Sequence, residues 1–238
     1  MLLDFLQHAL TVGVFTIQYI LYYQTVNHFF GKSLKLKQKA YIISIKSSFL
    51  LSCIGIYFNF FSTHSKFDVI LSKLTINHFT AYLIMDLYYG YNDYRPHTNF
   101  LQTYIHHTAY IIVNQLALYN DLSMYYIYYF ILEVPTFILG VGSFSPSLRH
   151  DTLFGYSFLF TRILYHLYLT FCYFNITTVF YLSNLAFGLH VYWFNNWVKK
   201  YGKESLHLDT ICLYFYHIYV LYNNFFYPKE IDSSNKQE

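Results

Sequence analysis

Charge is what this sequence has least of. Only 11% of its 238 residues are Asp, Glu, Lys or Arg, less than half the roughly 25% of an average soluble domain, while 55% are hydrophobic. That excludes an ordinary water-soluble globule and points to an integral membrane protein. Cysteine is scarce too: Cys53, Cys172 and Cys212 imply no disulfide framework. No soluble basic domain exists to receive nucleic acid, although the formal net charge is +3. The lysines instead flank apolar runs, as expected against an anionic leaflet. The opening MLLDFLQHAL has neither a basic n-region nor a small-residue cleavage site, so it reads as a retained first helix rather than a signal peptide. Internal repeats and low-complexity domains are missing as well.

Aromatics are abundant, with 29 Tyr and 25 Phe. Tyrosine lowers the mean hydropathy to +0.28 and hides membrane segments that emerge once charge-free runs are counted. Residues 5–30 are a charge-free run ending at Gly31, ahead of Lys32, Lys35, Lys37 and Lys39, and Gly is a natural helix stop. Further helices are predicted over about 41–62, 73–91, 99–119, 122–141, 153–174 and 177–197. The last two divide a run too long for one span, since about 20 residues cross a bilayer. Residues 206–227 fit either an eighth span or an interfacial amphipathic helix, followed by a polar tail. The predicted fold is therefore all-α, a polytopic transmembrane bundle of about seven helices, or eight. A first helix and basic loop occupy 1–39, the main membrane domain 40–200 and a C-terminal region 201–238. With the N-terminus outside, eleven basic residues fall on cytoplasmic segments and only Lys66 and Lys73 outside, Lys46 and Arg162 lying within helices. The positive-inside rule then predicts N-out, C-in.

Ionisable residues at membrane depth are costly, which makes them functional candidates. His106 and His107 sit near the middle of the charge-free stretch 96–120. At about 1.5 Å per residue, they, Asp86, Glu133, Arg162 and His190 all lie roughly 8–13 Å from the cytoplasmic helix ends. Five helices thus contribute to one layer, and a cytoplasm-facing polar cavity is expected, lined by these groups and His166. Adjacent positions on a helix diverge by about 100°, so the two imidazoles are expected to point apart. That argues against a metal site from the pair, because helical ligands favour i, i+3 or i, i+4 spacing. It suits one ring that reacts and one that orients. Arg162 and His166 are expected to share a face. Pro135 is expected to free a carbonyl near Ile131 and to kink the helix beside Glu133. Glu133 and Arg162 most simply form a structural ion pair, His28, His78, His166 and His190 most simply bond between helices, and Tyr192, Trp193 and Trp197 fit an interfacial aromatic belt.

Several of these pieces together resemble the TLC domain family, which includes ceramide synthases, a translocon-associated membrane protein and lipid-regulating proteins of the endoplasmic reticulum. They are Asp86-Leu-Tyr-Tyr, Tyr104-Ile-His-His107, Glu133-Val-Pro-Thr136, Phe160-Thr-Arg162 and Leu189-His-Val-Tyr-Trp-Phe-Asn-Asn-Trp197, in family order over about 40–200. The resemblance implies a helical bundle enclosing a cavity for a lipid or acyl chain. In the synthases the His pair belongs to the catalytic motif and would correspond to His106 and His107. Where those enzymes carry a further His-Asp and another Asp, this sequence has Tyr125, Tyr126 and Tyr129, so it looks closer to the non-synthase members.

Three functions follow as expectations. The first is a lipid-binding or lipid-regulating membrane protein without a cofactor, its partner a membrane lipid or acyl chain. The second is an acyltransferase, with His106 or His107 as general base or transient acyl acceptor and acyl-CoA as donor. The third, a seven-helix receptor or channel, is disfavoured by short loops and the lack of an extracellular domain.

Overall fold

The computed structural model describes residues 2–205, which contain helices and turns but no strand. The predicted segment 206–227 and the polar tail lie outside the described residues. The chain divides into two compact units, 1–194 and 195–238. The helical bundle is the first; the described part of the second, 195–205, is helical and places the rings of Trp197 and Tyr201 6.0 Å apart.

Among the described residues there are seven long helical stretches, one for each predicted segment. We number them α1 (Leu2–Phe30), α2 (Ile42–Phe60, preceded by the single turn Leu36–Lys39), α3 (Lys66–Asn92), α4 (100–119), α5 (Ser123–Phe144), α6 (151–172) and α7 (Thr177–Ser205). Three segments, Leu3–Phe30, Leu36–Phe60 and Ser123–Phe144, are long and apolar enough to cross a membrane. Helix α4 opens with a π-helical stretch, Phe100–Ile105, and α6 contains another, Leu159–Tyr165. In α5 the 3₁₀ stretch Ile127–Glu133 precedes the α-helical Val134–Phe144.

The distribution of polarity is inverted relative to a water-soluble bundle. On α1, Leu3, Leu6, Leu10, Val14, Ile17 and Leu21 are 54–78% exposed, and their spacing puts them on one stripe. An apolar stripe of that length facing outward marks contact with lipid or a partner. Helix α3 is the reverse: Ser72, Thr75, Asn77, His78, Thr80 and Asp86 are all buried. Its polar side chains reach four neighbouring helices. His78 Nε2 lies 2.7 Å from Tyr19 Oη of α1, Tyr82 Oη 2.9 Å from Ser44 Oγ of α2, and Ser72 Oγ donates to Ser123 Oγ of α5 at 3.0 Å. Asn114 Nδ2 of α4 donates to Thr80 Oγ1 at 2.9 Å.

Close backbone approach adds to these bonds. A Cβ at Gly55 would stand 2.2 Å from Ile131 N and 2.6 Å from Phe130 C, so α2 and α5 meet where only hydrogen fits. The following loop is tied by Asp68, which has no solvent exposure. Its carboxylate accepts from Tyr57 Oη (2.8 Å), Ser62 Oγ (3.1 Å), the Thr63 N–H (3.1 Å) and the Ser65 N–H (2.9 Å), while Ser65 Oγ caps α3 by accepting from the Asp68 N–H. Burial alone would raise the Asp68 carboxyl, but the Ser65 backbone and the Tyr57, Ser62 and Ser65 hydroxyls outweigh it and hold it at about 2.

Two outcomes are expected. Gly55→Ala forces two backbones apart and costs about 1–3 kcal/mol or more by overpacking, whereas Gly13→Ala, with nothing within 4 Å of its Cβ, is neutral or mildly stabilising. Thermal unfolding in detergent compares them, and equal midpoints would refute the close approach. Because the folded Asp68 carboxyl lies below its ordinary 3.8, its stabilisation is fully present above that value and is lost as pH falls through about 2. The midpoint advantage of wild type over Asp68→Asn should therefore shrink between pH 4 and 2; an advantage independent of pH across that window would contradict the bonded carboxylate.

Candidate functional site

A cavity of about 610 Å³ opens among α3, α4, α5, α6 and α7, within the range of small-molecule sites. Its walls are mainly apolar, with Phe79 from α3, Ala109 and Val113 from α4, Phe130 and Leu132 from α5, and Leu182, Ala186 and Leu189 from α7. Leu101 and Ile105 of α4 and Leu185 and Tyr192 of α7 belong to the lining and are also exposed, so the rim between those two helices is an apolar opening to the outside of the bundle.

Of the seven residues expected to converge, His106, Glu133, His166 and His190 line this cavity. His107, Asp86 and Arg162 are buried beside it and pair off locally. The polar groups therefore form separate clusters rather than one continuous polar lining, because a buried charge or dipole must find its partner within a few ångströms.

The first cluster joins α3 to α4. Tyr94 Oη donates to Asp86 Oδ1 at 2.7 Å, and His107 Nδ1 lies 3.3 Å from Asp86 Oδ2, an electrostatic contact that lacks hydrogen-bond alignment. His106 turns the other way, as adjacent positions on a helix must. Its ring meets Tyr110 edge-on at 4.5 Å and Trp193 at 5.0 Å and 74°. His106 Nδ1 and Trp193 Nε1 are both buried without a hydrogen-bond partner. Trp193 thus packs against the histidine.

The second cluster is built on the proline. In the 3₁₀ winding before it, Ile131 O accepts from the Val134 N–H, and the next carbonyl, Leu132 O, faces Pro135, which has no N–H to give. The freed carbonyl is thus Leu132 rather than Ile131, because the 3₁₀ turn shifts the bonding by one residue. Arg162 Nε fills the vacancy at 2.7 Å, and its Nη2 donates to Thr136 Oγ1 at 2.7 Å and to Glu133 Oε1 at 3.1 Å. One guanidinium therefore caps a broken helix and neutralises the acid beside the break.

The third cluster joins His166 and His190 to Ser183, Thr170 and Tyr129, which sequence reasoning did not single out as site residues. His166 Nδ1 lies 2.9 Å from His190 Nδ1, and His166 Nε2 lies 2.9 Å from Ser183 Oγ. Ser183 Oγ also accepts from Tyr129 Oη at 3.1 Å and lies 2.5 Å from Thr170 Oγ1. Arg162 and His166, expected on one face, take different partners, Arg162 on α5 and His166 on α7. The available signal was spacing: His166 and Thr170 at i, i+4 and Ser183 and His190 at i, i+7 each form a polar face. Of Tyr125, Tyr126 and Tyr129, the last two line the cavity, and Tyr125 packs on Tyr173 with ring centroids 5.4 Å apart.

No protein-family model, curated protein or solved structure matches this chain.

The Arg162 cluster yields a double-mutant test. Arg162→Met should cost about 3–5 kcal/mol, since it leaves Glu133 and Leu132 O buried and unpaired. Arg162→Met with Glu133→Gln should recover part of that loss in detergent unfolding; strictly additive losses would mean that the two groups do not interact.

Proposed function

We propose that this chain is a multi-pass membrane protein of the TLC type that holds a lipid by its acyl chain in the α3–α7 cavity and so regulates membrane lipid composition. The observation that carries the reading is the cavity itself: apolar walls, polar groups at a few points, and an apolar rim between α4 and α7. A lipid tail can reach such a site sideways from a bilayer without meeting water. The outward apolar stripe of α1 and the inward polar face of α3 support the same setting.

In this proposal all seven helices cross the membrane, with the N-terminus lumenal, the C-terminus cytoplasmic and the endoplasmic reticulum or another endomembrane as location. Helix α3 carries many polar residues yet suits a span because its polar side chains are buried and bonded. A second reading, acyl transfer from acyl-CoA, is favoured by one observation: His106 lines the cavity, and its Nδ1, packed beneath the cavity surface, has no hydrogen-bond partner.

Native mass spectrometry of the purified protein should find one tightly held acyl lipid per chain. Ala186→Trp, which places an indole in the cavity, should release it while leaving the thermal midpoint within a few degrees. Equal retention by both proteins, or no acyl lipid on the wild type, would overturn the reading. Acyl transfer from acyl-CoA that disappears in His106→Ala would instead establish the second.

A further inference from the structure

We propose that Ser183, His166 and His190 form a nucleophile, base and positioning group that cleave an acyl ester whose chain lies in the cavity. The inference rests on the acyl-chain reading of that cavity and adds a reaction to it. Nucleophilic catalysis by serine needs three things: a hydroxyl bonded to a base, a base held by a third group, and an access route for substrate. Ser183 Oγ is 2.9 Å from His166 Nε2, His166 Nδ1 is 2.9 Å from His190 Nδ1, and all three residues line the cavity.

Proton placement decides whether the arrangement is competent. Between two imidazole nitrogens 2.9 Å apart, one carries the hydrogen and the other accepts it. In one order His190 Nδ1–H donates to His166, His166 Nε2–H donates to Ser183, Ser183 donates to Thr170, and Thr170 donates to the His166 carbonyl at 2.9 Å. In the other order His166 Nδ1–H donates to His190, which leaves a bare lone pair on Nε2. Thr170 and Tyr129 then donate to Ser183, and Ser183 donates to His166. Both orders give Ser183 one bond donated and two accepted, its full inventory. In the second order the single Thr170 hydrogen turns from the His166 carbonyl to Ser183 Oγ, and this second order is the reactive one.

The step then balances. Ser183 Oγ attacks the acyl carbon of an ester and its proton passes to His166 Nε2. The bond from acyl carbon to ester oxygen breaks, and the alcohol leaves with that proton. Water attacks the acyl-serine and gives a proton to His166; the bond to Oγ breaks, Oγ takes the proton back, and a free fatty acid remains. The Tyr129 hydroxyl, which donates to Ser183 Oγ at 3.1 Å, gives up that lone pair for the attack and is then free to donate to the developing oxyanion. His190 acts through His166 and is a positioning residue.

The test is labelling by dodecyl fluorophosphonate and ethyl fluorophosphonate of the full chain in detergent, with the modified peptide identified by mass spectrometry. An adduct on Ser183 that is absent in Ser183→Ala and forms about a hundredfold more slowly in His166→Phe is expected. His190→Phe should also slow labelling, and His190→Asn, which still offers an oxygen to the His166 N–H, should restore much of the rate. If the cavity does not take an acyl chain, the preference for the dodecyl over the ethyl reagent disappears while Ser183 still reacts, which fails the acyl reading alone. A folded wild-type protein, judged by its unfolding transition, whose Ser183 reacts with neither reagent overturns the triad and leaves a structural clamp. Equal labelling rates in wild type and His166→Phe also overturn it.

Discussion

A helix surrounded by hydrocarbon gains nothing from hiding leucine, since lipid tails are as apolar as its own side chains. What holds such helices together is close packing and the refusal of polar groups to stay unpaired. Helix α3, which is not among the three segments long and apolar enough to cross a membrane, meets the second requirement inside the bundle. It offers His78, Tyr82, Ser72 and Thr80 to four different neighbours, and its other buried groups, Asp86 above all, extend the pattern. Interhelical bonds of this kind average roughly 0.6 kcal/mol, so none of them dominates. Their placement on one central helix fixes where every neighbour can stand, and the cavity is the space left where the last helix meets the others through side chains.

Three of the polar groups in and beside that space sit where regular helix geometry breaks. His106 is the first residue after a π stretch, Glu133 ends a 3₁₀ stretch, and Arg162 lies inside a second π stretch. Each irregularity rotates the residues that follow it relative to those before. Helix α6 sends Arg162 toward α5 and His166 toward α7, and π winding is often found at such sites.

Much of this layout is legible in the residues themselves. Charge-free runs locate the helices, depth along each helix picks out ionisable groups that the bundle divides among three clusters, and adjacency alone separates His106 from His107. Radial direction is what the sequence withholds. It depends on helical phase, which the π stretches alter without any proline or glycine to mark them, and on whether a partner stands opposite. Hence the Glu133 and Arg162 pairing could be anticipated from charge, whereas the link from His166 to Ser183 could not. Serine at position 183 is chemically ordinary until a histidine from another helix is placed within hydrogen-bond distance.

The guanidinium of Arg162 has a consequence for how α5 is shaped. Proline by itself makes a helix bendable without choosing the bend. Here the carbonyl released by Pro135 is grasped from α6 by a residue 30 positions away, and the same hand holds Glu133. The direction of α5 is thus encoded in another helix, and the two halves of that helix act as lever arms whose pivot is set from outside.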